Sequence, residues 1–247
     1  MSTAPLVLSD EDFARFRDLL RSAAGLVFDA ARRDSLAYSV SERLRITGIE
    51  SVAAYLDVVA PPASVERQRL LDEVTIQETH FFRNPPQMRA LLVHVLPELI
   101  RQAEASGRRL RIWSAGCSTG EEPYTVAMML RELLPSTDGW DIEVLATDVS
   151  EEALERARLA TYGPRAVQLA RPEDVERFFA RDSDGRYEVR PEVRSLVRFS
   201  HQNLVHDPPP ASGLDLVLCR NVTIYFDRDT TRSLMQRMHG EIGRAHV

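Results

Sequence analysis

A strand, a glycine turn and a helix follow one another directly between residues 110 and 134. The apolar run over 110–115 predicts a buried strand, and Gly116 and Gly120 predict a tight turn before the helix. A second strand, over 141–147, is again followed by a helix. Strands that alternate with helices are typical of a parallel sheet, because parallel neighbours need a crossover between them. We therefore predict an α/β domain.

The rest of the chain is organised around this unit. Residues 1–75 show only helical periodicity, with Gly25 and Gly48 as helix ends, and we predict an N-terminal all-helical domain with its linker over residues 1–85. Residues 86–247 form the predicted α/β domain. Within it, residues 162–197 interrupt the alternation with short runs around a turn, which predicts an inserted antiparallel β-subdomain.

The composition excludes several classes of protein. All 31 basic residues are arginine, against 37 acidic residues, so the net charge of −6 argues against nucleic-acid binding. Without lysine, P-loop and Schiff-base chemistry are excluded. The two cysteines form no Cys-x-x-Cys pair and the histidines are scattered, so we expect no metal site. No apolar run approaches the roughly 20 residues of a membrane span, and we expect a cytoplasmic protein without membrane insertion.

Two features of the predicted sheet each allow two interpretations. The glycine turn fits either a capped turn, with Thr119 and Glu122 as a capping box, or a ligand at the helix N-terminus. A dinucleotide is disfavoured, because a third glycine is missing and the carboxylates of Glu121 and Glu122 would repel a pyrophosphate. Asp148, at the end of the second strand, either accepts hydrogen bonds from ribose hydroxyls or caps the next helix.

Two other segments combine aromatic and polar residues, namely 75–83 and 219–226. The second follows a buried strand at its carboxyl end, where open parallel sheets bind ligands. Each segment taken alone is equally compatible with ordinary core packing.

Five segments occur in a fixed order along the chain. They are Thr-x-x-Glu-Thr-x-Phe-Phe-Arg, Trp-Ser-Ala-Gly-Cys-Ser-Thr-Gly-Glu-Glu-Pro-Tyr, Ala-Thr-Asp-Val-Ser, Gln-Asn-Leu and Cys-Arg-Asn-Val-x-Ile-Tyr-Phe. Their order and spacing resemble the chemotaxis receptor glutamate methyltransferases, the CheR family, up to about Gly240. The resemblance implies an N-terminal helical domain and a Rossmann-like class I methyltransferase sheet that carries the inserted β-subdomain.

The resemblance also implies S-adenosylmethionine as the methyl donor, and no metal. The implied cofactor-binding residues are Gln77, Thr79, Arg83, Gly116, Glu121, Asp148, Asn203, Leu204, Arg220 and Asn221. Arg83 and Tyr225 are the implied catalytic pair beside the transferring methyl group. Gln77 stands where the family usually has Asn, so we expect altered geometry there rather than lost binding. The acceptor carboxylate is already ionised at neutral pH, with an ordinary pKa of about 4.3, so no general base is needed.

The implied reaction methylates glutamate side chains of chemoreceptors (methyl-accepting chemotaxis proteins) and yields glutamate methyl esters and S-adenosylhomocysteine. The implied partner is the cytoplasmic helical region of a receptor, and we expect a monomeric enzyme. For docking we predict a basic face on residues 30–46, where four arginines oppose Asp34 and Glu42 to give a local charge of +2. The four are Arg32, Arg33, Arg43 and Arg45. An ordinary solvated helix face is the alternative.

Other functions remain compatible with these residues. One is a non-catalytic regulatory module that binds S-adenosylmethionine or the receptor, and a nicotinamide-dependent dehydrogenase is disfavoured by the glycine pattern. Members of the family continue with a further helix, a strand and an antiparallel hairpin. We therefore expect the C-terminal strands to be missing, which makes an inactive truncated fragment another alternative. Residues 241–247 depart from the family pattern and match one reading frame of a common sequencing adapter.

Overall fold

The computed structural model describes residues 6–75 and 77–242. The described residues form these helices: α1 Asp10–Ala24, α2 Arg33–Thr47, α3 Val52–Val59, α4 Val65–Val74, α5 Pro85–Ala90, α6 Leu96–Ala105, α7 Glu121–Leu133, α8 Glu151–Leu159, α9 Pro172–Phe178, α10 Pro191–Arg194 and α11 Arg228–Glu241. Their strands are β1 Arg109–Ala115, β2 Asp141–Asp148, β3 Thr161–Tyr162, β4 Phe179–Arg181, β5 Tyr187–Val189, β6 Val197–His201 and β7 Leu216–Leu218. The first four helices confirm the all-helical N-terminal region.

Local capping determines where these first helices begin and end. Ser9, Ser51 and Ser64 each accept a hydrogen bond from a first-turn backbone N–H through the side-chain oxygen, which satisfies a donor that the helix itself leaves unpaired. Gly25 and Gly48 end α1 and α2 with φ of 70° and 71°, a conformation that favours glycine. The shared core of this region includes Phe16, Leu20, Leu36, Tyr55 and Leu70.

The linker between α4 and α5 has an unusual backbone. Phe82 and Asn84 have φ of 56° and 62°, in a region that residues other than glycine rarely adopt, and they flank Arg83. A continuous helical rod follows, in which α5 passes through a π turn at Leu91–Val95 into α6.

The main sheet contains four parallel strands in the order β6-β2-β1-β7. This confirms the predicted α/β arrangement. β7 pairs with β1 over only three residues, from Leu216 to Leu218, so it is shorter than the apolar run of the sequence suggests. The carboxyl ends of β1, β2 and β6 and the segment after β7 meet at one edge of the sheet, which is the edge where ligands bind in this architecture.

The inserted β-subdomain is a three-stranded antiparallel sheet in the order β3-β5-β4. Phe81 of the linker packs between Tyr162 and Phe179, with both ring centroids at 4.9 Å and both contacts edge-on. Such aromatic pairs stabilise beyond their buried area. The subdomain therefore holds the linker at the point where it passes the sheet.

No helix within the described residues is long and apolar enough to cross a membrane.

At the C-terminal end of the described residues, Ile242 forms a parallel bridge with Leu214. Most of the segment that we expect to be foreign to the family, residues 243–247, lies outside the described residues.

Candidate functional site

A cleft of about 1050 Å³, open to solvent, lies between the helical domain and the carboxyl edge of the main sheet. The helical domain and the loop after α1 contribute Ala24, Leu26, Arg32 and Val74; the linker contributes Thr75, Gln77, Glu78, Thr79 and Arg83; the sheet edge contributes Gly116, Cys117, Ser118, Glu122, Asp148, Val149, Gln202, Asn203, Leu204, Arg220, Asn221, Val222, Tyr225 and Phe226. Nine of the ten residues predicted to bind the cofactor line this cleft, as does Tyr225. The sequence segments that were ambiguous singly therefore meet in one cavity.

Glu121 is the predicted binding residue that does not line the cleft. Its side chain is buried and accepts a hydrogen bond from Thr119 Oγ1 at 2.7 Å, and burial raises the pKa of its carboxyl. Its neighbour Glu122 faces the cleft instead. Glu121 therefore lies outside the cleft lining, because the first turn of α7 directs adjacent residues to different sides, and its role in cofactor binding stays a prediction.

The predicted capping box is also absent from this turn. The N-cap of α7 is Gly120, which has no side chain to accept a bond. Glu122 does not reach back to Thr119; its Oε1 accepts a hydrogen bond from Ser114 Oγ at 2.8 Å and its Oε2 one from Arg220 Nη1 at 2.9 Å. Both carboxylate oxygens of Glu122 are therefore hydrogen-bonded to residues at the end of the sheet, and neither caps the helix.

Gly116 lets the end of β1 pass close to the segment after β7. Its φ is 74°, and a Cβ placed there would lie 2.4 Å from Cγ2 of Val222. Real Cβ atoms are not found at such a distance, and the φ itself favours glycine. The chain needs glycine here for both reasons, and the cleft wall depends on this close approach.

Asp148 ends β2 with its carboxylate held by backbone groups. Oδ2 accepts a hydrogen bond from Ser118 N at 2.7 Å and Oδ1 one from Ser150 N at 2.9 Å. The N-cap of α8 is Ser150, whose Oγ accepts from Ala153 N, so the alternative in which Asp148 caps this helix is wrong. Burial raises the pKa of Asp148, and the N–H donors of Ser150 and Ser118 oppose that rise.

Gln77 spans from the linker to α8. Its Oε1 accepts a hydrogen bond from Arg156 Nη1 at 3.0 Å, and its Nε2 donates to Ser150 Oγ at 3.4 Å. The amide thus contacts the protein on both sides while lining the cleft. Whether these contacts differ from those that the family's Asn would make stays a prediction.

Arg32 brings a cation from the helical domain into the cleft. Its guanidinium lies over the rings of Phe28 and Tyr225, at 4.2 and 5.6 Å from their centroids, and Nη1 donates to the carbonyl of Val27 at 3.1 Å. Arg83 donates to the carbonyl of Glu78 at 2.7 Å. Among the described residues, neither arginine has a carboxylate within ion-pair distance. Both cations are therefore available to an anionic ligand.

The four arginines predicted as a docking face on residues 30–46 do not form a single free surface. Arg43 is inside the helical domain, paired with Glu66, and only 12% of its side chain is exposed. Arg33 donates to Asp10 and to the carbonyl of Leu8, while Arg45 pairs with Glu42 on its own helix. Helical spacing shows which residues share a face, but partners from other helices decide which cations are neutralised.

The sequence reasoning missed several residues of the cleft, notably Glu78, Cys117, Glu122 and Val222. All four lie inside recognised motifs, so their proximity to the predicted residues in the sequence was a signal. Burial raises the pKa of the Cys117 thiol well above its ordinary range, and burial raises the pKa of Cys219 to about 11. Both cysteines are therefore neutral thiols and poor nucleophiles.

Two models of one protein family match nearly the whole chain. Residues 77–245 match the CheR methyltransferase SAM-binding domain, and residues 11–75 match the all-alpha domain of the same methyltransferases. The chain belongs to the CheR methyltransferase family. This confirms the resemblance seen in the sequence motifs and identifies the α/β domain as the one that binds S-adenosylmethionine in this family.

Curated relatives of this CheR methyltransferase carry matching names. Chemotaxis protein methyltransferase 2 of Vibrio cholerae is 30% identical over 245 residues, covering 98% of this chain and 84% of the relative. A probable chemotaxis protein methyltransferase of Rhizobium etli is 35% identical over 227 residues, covering 90% and 84%. The chemotaxis protein methyltransferase of Escherichia coli is 34% identical over 241 residues, covering 95% and 81%.

The cleft fits S-adenosylmethionine on chemical grounds. The nucleoside needs acceptors for its hydroxyl groups, and the sulfonium and amino groups need negative charge. Asp148 supplies such an acceptor and Glu122 such a charge, and both line the same cavity. The described residues contain no group of three potential ligands that could hold a metal ion.

Proposed function

We propose that this chain transfers the methyl group of S-adenosylmethionine to glutamate side-chain carboxylates of chemoreceptors in the cytoplasm. The observation that carries the proposal is the pair of cleft arginines, Arg32 and Arg83, which enter from different sides and have no carboxylate partner in the described structure. An anionic acceptor side chain matches them in charge. The third arginine of the cleft, Arg220, is already paired with Glu122.

The reaction balances without a proton acceptor. S-Adenosylmethionine, when bound, supplies a methyl group on a sulfonium cation, and transfer to a carboxylate oxygen leaves a neutral methyl ester and the neutral thioether of S-adenosylhomocysteine. The acceptor is ionised at neutral pH. This chemistry suits a cleft whose lining cysteine, Cys117, is a neutral thiol, because no side chain has to act as a base.

The chain's own residues then serve to bind and orient. Asp148 and Asn203 would hold the nucleoside, and Glu122 would face its positively charged portion. Arg83 would donate to the acceptor carboxylate, with Tyr225 beside it, and Arg32 would hold the same acidic segment from the helical domain. Catalysis would rest on bringing two oppositely charged reactants to attack distance in a site shielded from water.

The partner is the cytoplasmic helical region of a receptor, and the enzyme acts as a monomer. A transient contact of this kind relies on a few charged groups, so its strength is expected to fall as salt is added. Arg32 is the residue of the four predicted docking arginines that reaches the cleft.

Methyl incorporation from radiolabelled S-adenosylmethionine into receptor cytoplasmic fragments tests the proposal directly. We expect label that is released by mild base, as an ester is, and that is lost when the receptor's acceptor glutamates are replaced by alanine. Titration calorimetry with S-adenosylhomocysteine and with NAD accompanies it. Binding of S-adenosylhomocysteine without any turnover would support the regulatory-module alternative instead.

A further inference from the structure

A strained arch in the linker, residues 81–84, presents Arg83 to the cleft. Phe82 and Asn84 on either side of Arg83 both have positive φ, at 56° and 62°. For a bulky residue such as Phe82 this conformation persists only where the surrounding structure enforces it, whereas asparagine adopts it more readily. Contacts with other elements must therefore hold the arch in place.

Three hydrogen bonds anchor the arch to other elements. Phe81 N donates to the carbonyl of Ala166 at 2.9 Å, and Phe82 N donates to Thr125 Oγ1 at 3.1 Å. The carbonyl of Arg83 accepts a hydrogen bond from Arg220 Nη2 at 2.7 Å. The last of these holds the residue that carries the proposed catalytic side chain.

Arg220 uses its remaining nitrogens on two other partners. Its Nε donates to Gln87 Oε1 at 2.9 Å and its Nη1 to Glu122 Oε2 at 2.9 Å. The side chains of Arg220 and Glu122 are only 11% and 13% exposed. One planar guanidinium thus joins α5, α7 and the arch, and a lysine ammonium has no such fork.

The other carboxylate oxygen of Glu122 is fixed as well, by Ser114 Oγ at 2.8 Å. Burial raises the pKa of Glu122, and Ser114 and the Arg220 cation oppose that rise. A series of contacts therefore runs from Ser114 of β1 through Glu122 and Arg220 to the backbone of Arg83. The side chains of Ser114, Glu122 and Arg220 are half-buried or buried, which leaves these contacts little freedom to move.

The geometry points to Arg220 as a positioning residue that holds the backbone of Arg83 against the strain of the arch, rather than as a direct ligand of the cofactor. This rests on the proposed function in so far as Arg83 is taken to contact the acceptor carboxylate. Every nitrogen of Arg220 donates to a protein acceptor. Of the three partners of Arg220, Arg83 carries the proposed catalytic side chain, so we expect the effect of Arg220 on kcat to be transmitted through Arg83.

A double-mutant cycle between Arg220→Gln and Arg83→Ala tests this assignment. We expect Arg220→Gln to lower kcat at least about tenfold, and to lower it less than about twofold further once Arg83 is already alanine, because residues that act through one group are not additive. Binding of S-adenosylhomocysteine, measured by calorimetry, is expected to change less than about threefold. Arg101→Gln, an exposed arginine of α6, serves as the matched control.

Amide hydrogen exchange in the ligand-free protein gives a readout that does not need activity. Arg220→Gln is expected to speed exchange at Phe82 while leaving the strands of the main sheet protected. Thr125→Val removes a second of the three anchors of the arch and should produce the same local change, while Thr125→Ser retains it. This second pair keeps the test usable if Arg220→Gln does not fold.

Two results would overturn the assignment. One is a loss of S-adenosylhomocysteine affinity that matches the loss of activity, with unchanged exchange at Phe82, since that is the behaviour of a direct ligand. The other is a full additive loss in the Arg83→Ala background. If the wild-type protein methylates no receptor fragment, the proposed function fails, whereas the exchange experiment still decides whether Arg220 holds the arch.

Discussion

Arg43 of α2 forms two hydrogen bonds with the carboxylate of Glu66 on α4, at 2.8 Å to Oε1 and 2.9 Å to Oε2. Tyr55 of α3 donates its hydroxyl to the same Oε1 at 2.9 Å. The Glu66 carboxylate raises the pKa of Arg43, and burial followed by the hydrogen bond to Glu66 raises the pKa of Tyr55. Three helices of the N-terminal domain are therefore tied together by one carboxylate.

Arg43→Ala is expected to destabilise the protein rather than to weaken receptor docking. Removing one partner of a largely buried pair leaves the other charge without compensation, which costs about 3–5 kcal/mol. The matched control is Arg45→Ala, since Arg45 is 69% exposed and pairs with Glu42 one turn away; that change should cost less than about 1 kcal/mol. Urea unfolding of both variants measures the difference.

The opposite result would restore Arg43 to the docking surface. That result is a folded, normally stable Arg43→Ala protein that has lost methylation of receptor fragments, together with reduced salt dependence of the reaction.

Arg32→Gln is expected to raise KM for a receptor fragment about tenfold, because a charge-assisted contact to the acidic acceptor would be lost. The affinity for S-adenosylhomocysteine should change little. Arg45→Gln provides the control, since Arg45 is exposed and does not line the cleft. Initial-rate kinetics at two salt concentrations measure KM for the receptor fragment, and calorimetry measures the affinity for S-adenosylhomocysteine. A matching loss of S-adenosylhomocysteine affinity would instead place Arg32 against the cofactor.

Arg32 lines the cleft and Arg43 is buried in an ion pair, a difference that the sequence does not predict. The four helices, the parallel sheet and the inserted subdomain all follow from local signals, namely caps, glycines and periodicity, and the structure has them. Which arginine is buried, which is paired and which is free depends on contacts between elements far apart in the chain. Periodicity along one helix carries no information about such contacts.

Glu121 and Glu122 illustrate the same limit at the scale of a single turn. The motif correctly predicted a carboxylate at the start of α7. The two adjacent acids of this turn face different sides, however, and the partners Ser114 and Arg220 determine which of them faces the cleft. The collinear motifs located the cavity because each ends a strand or lines the linker. They could not report the hydrogen bonds made inside it.

Asp148→Asn is expected to show a pH-dependent stability difference from the wild type. Burial raises the pKa of Asp148 above its ordinary value of 3.8, so the folded protein binds this proton more tightly than the unfolded chain. The contribution of Asp148 to stability is therefore most favourable below pH 3.8 and declines as the pH rises through the raised pKa of the folded state. Asparagine does not titrate, so the wild type should lose stability relative to the variant over that window.

A second effect of this change does not depend on pH. The asparagine amide would place an N–H₂ group against either Ser118 N or Ser150 N, which are both donors, and this repulsion should weaken binding of S-adenosylhomocysteine at least about tenfold. Urea unfolding from about pH 4 to about pH 7 and calorimetry measure the two effects. Asp184→Asn, at the exposed turn of the β-subdomain, is the control. A stability difference that is constant over the whole pH range would contradict the buried-carboxylate interpretation.

Gly116→Ala and Gly185→Ala form a matched pair, because their φ values are 74° and 75°. An added methyl group at Gly185 meets nothing within 4 Å, whereas one at Gly116 would lie 2.4 Å from Cγ2 of Val222. The strain from φ is common to both and costs about 1 kcal/mol, so the additional loss in Gly116→Ala measures the clash at the cleft wall.

We expect Gly116→Ala to reduce S-adenosylhomocysteine affinity more than tenfold, about 1.4 kcal/mol or more, and Gly185→Ala to leave it unchanged. Combining Gly116→Ala with Val222→Ala removes the side chain that the new methyl group would meet, so part of the affinity should return. Calorimetry on the three variants, each checked for folding by circular dichroism, decides the matter. Equal affinities for the two single variants would show that the close approach of Gly116 to Val222 does not shape the binding cleft.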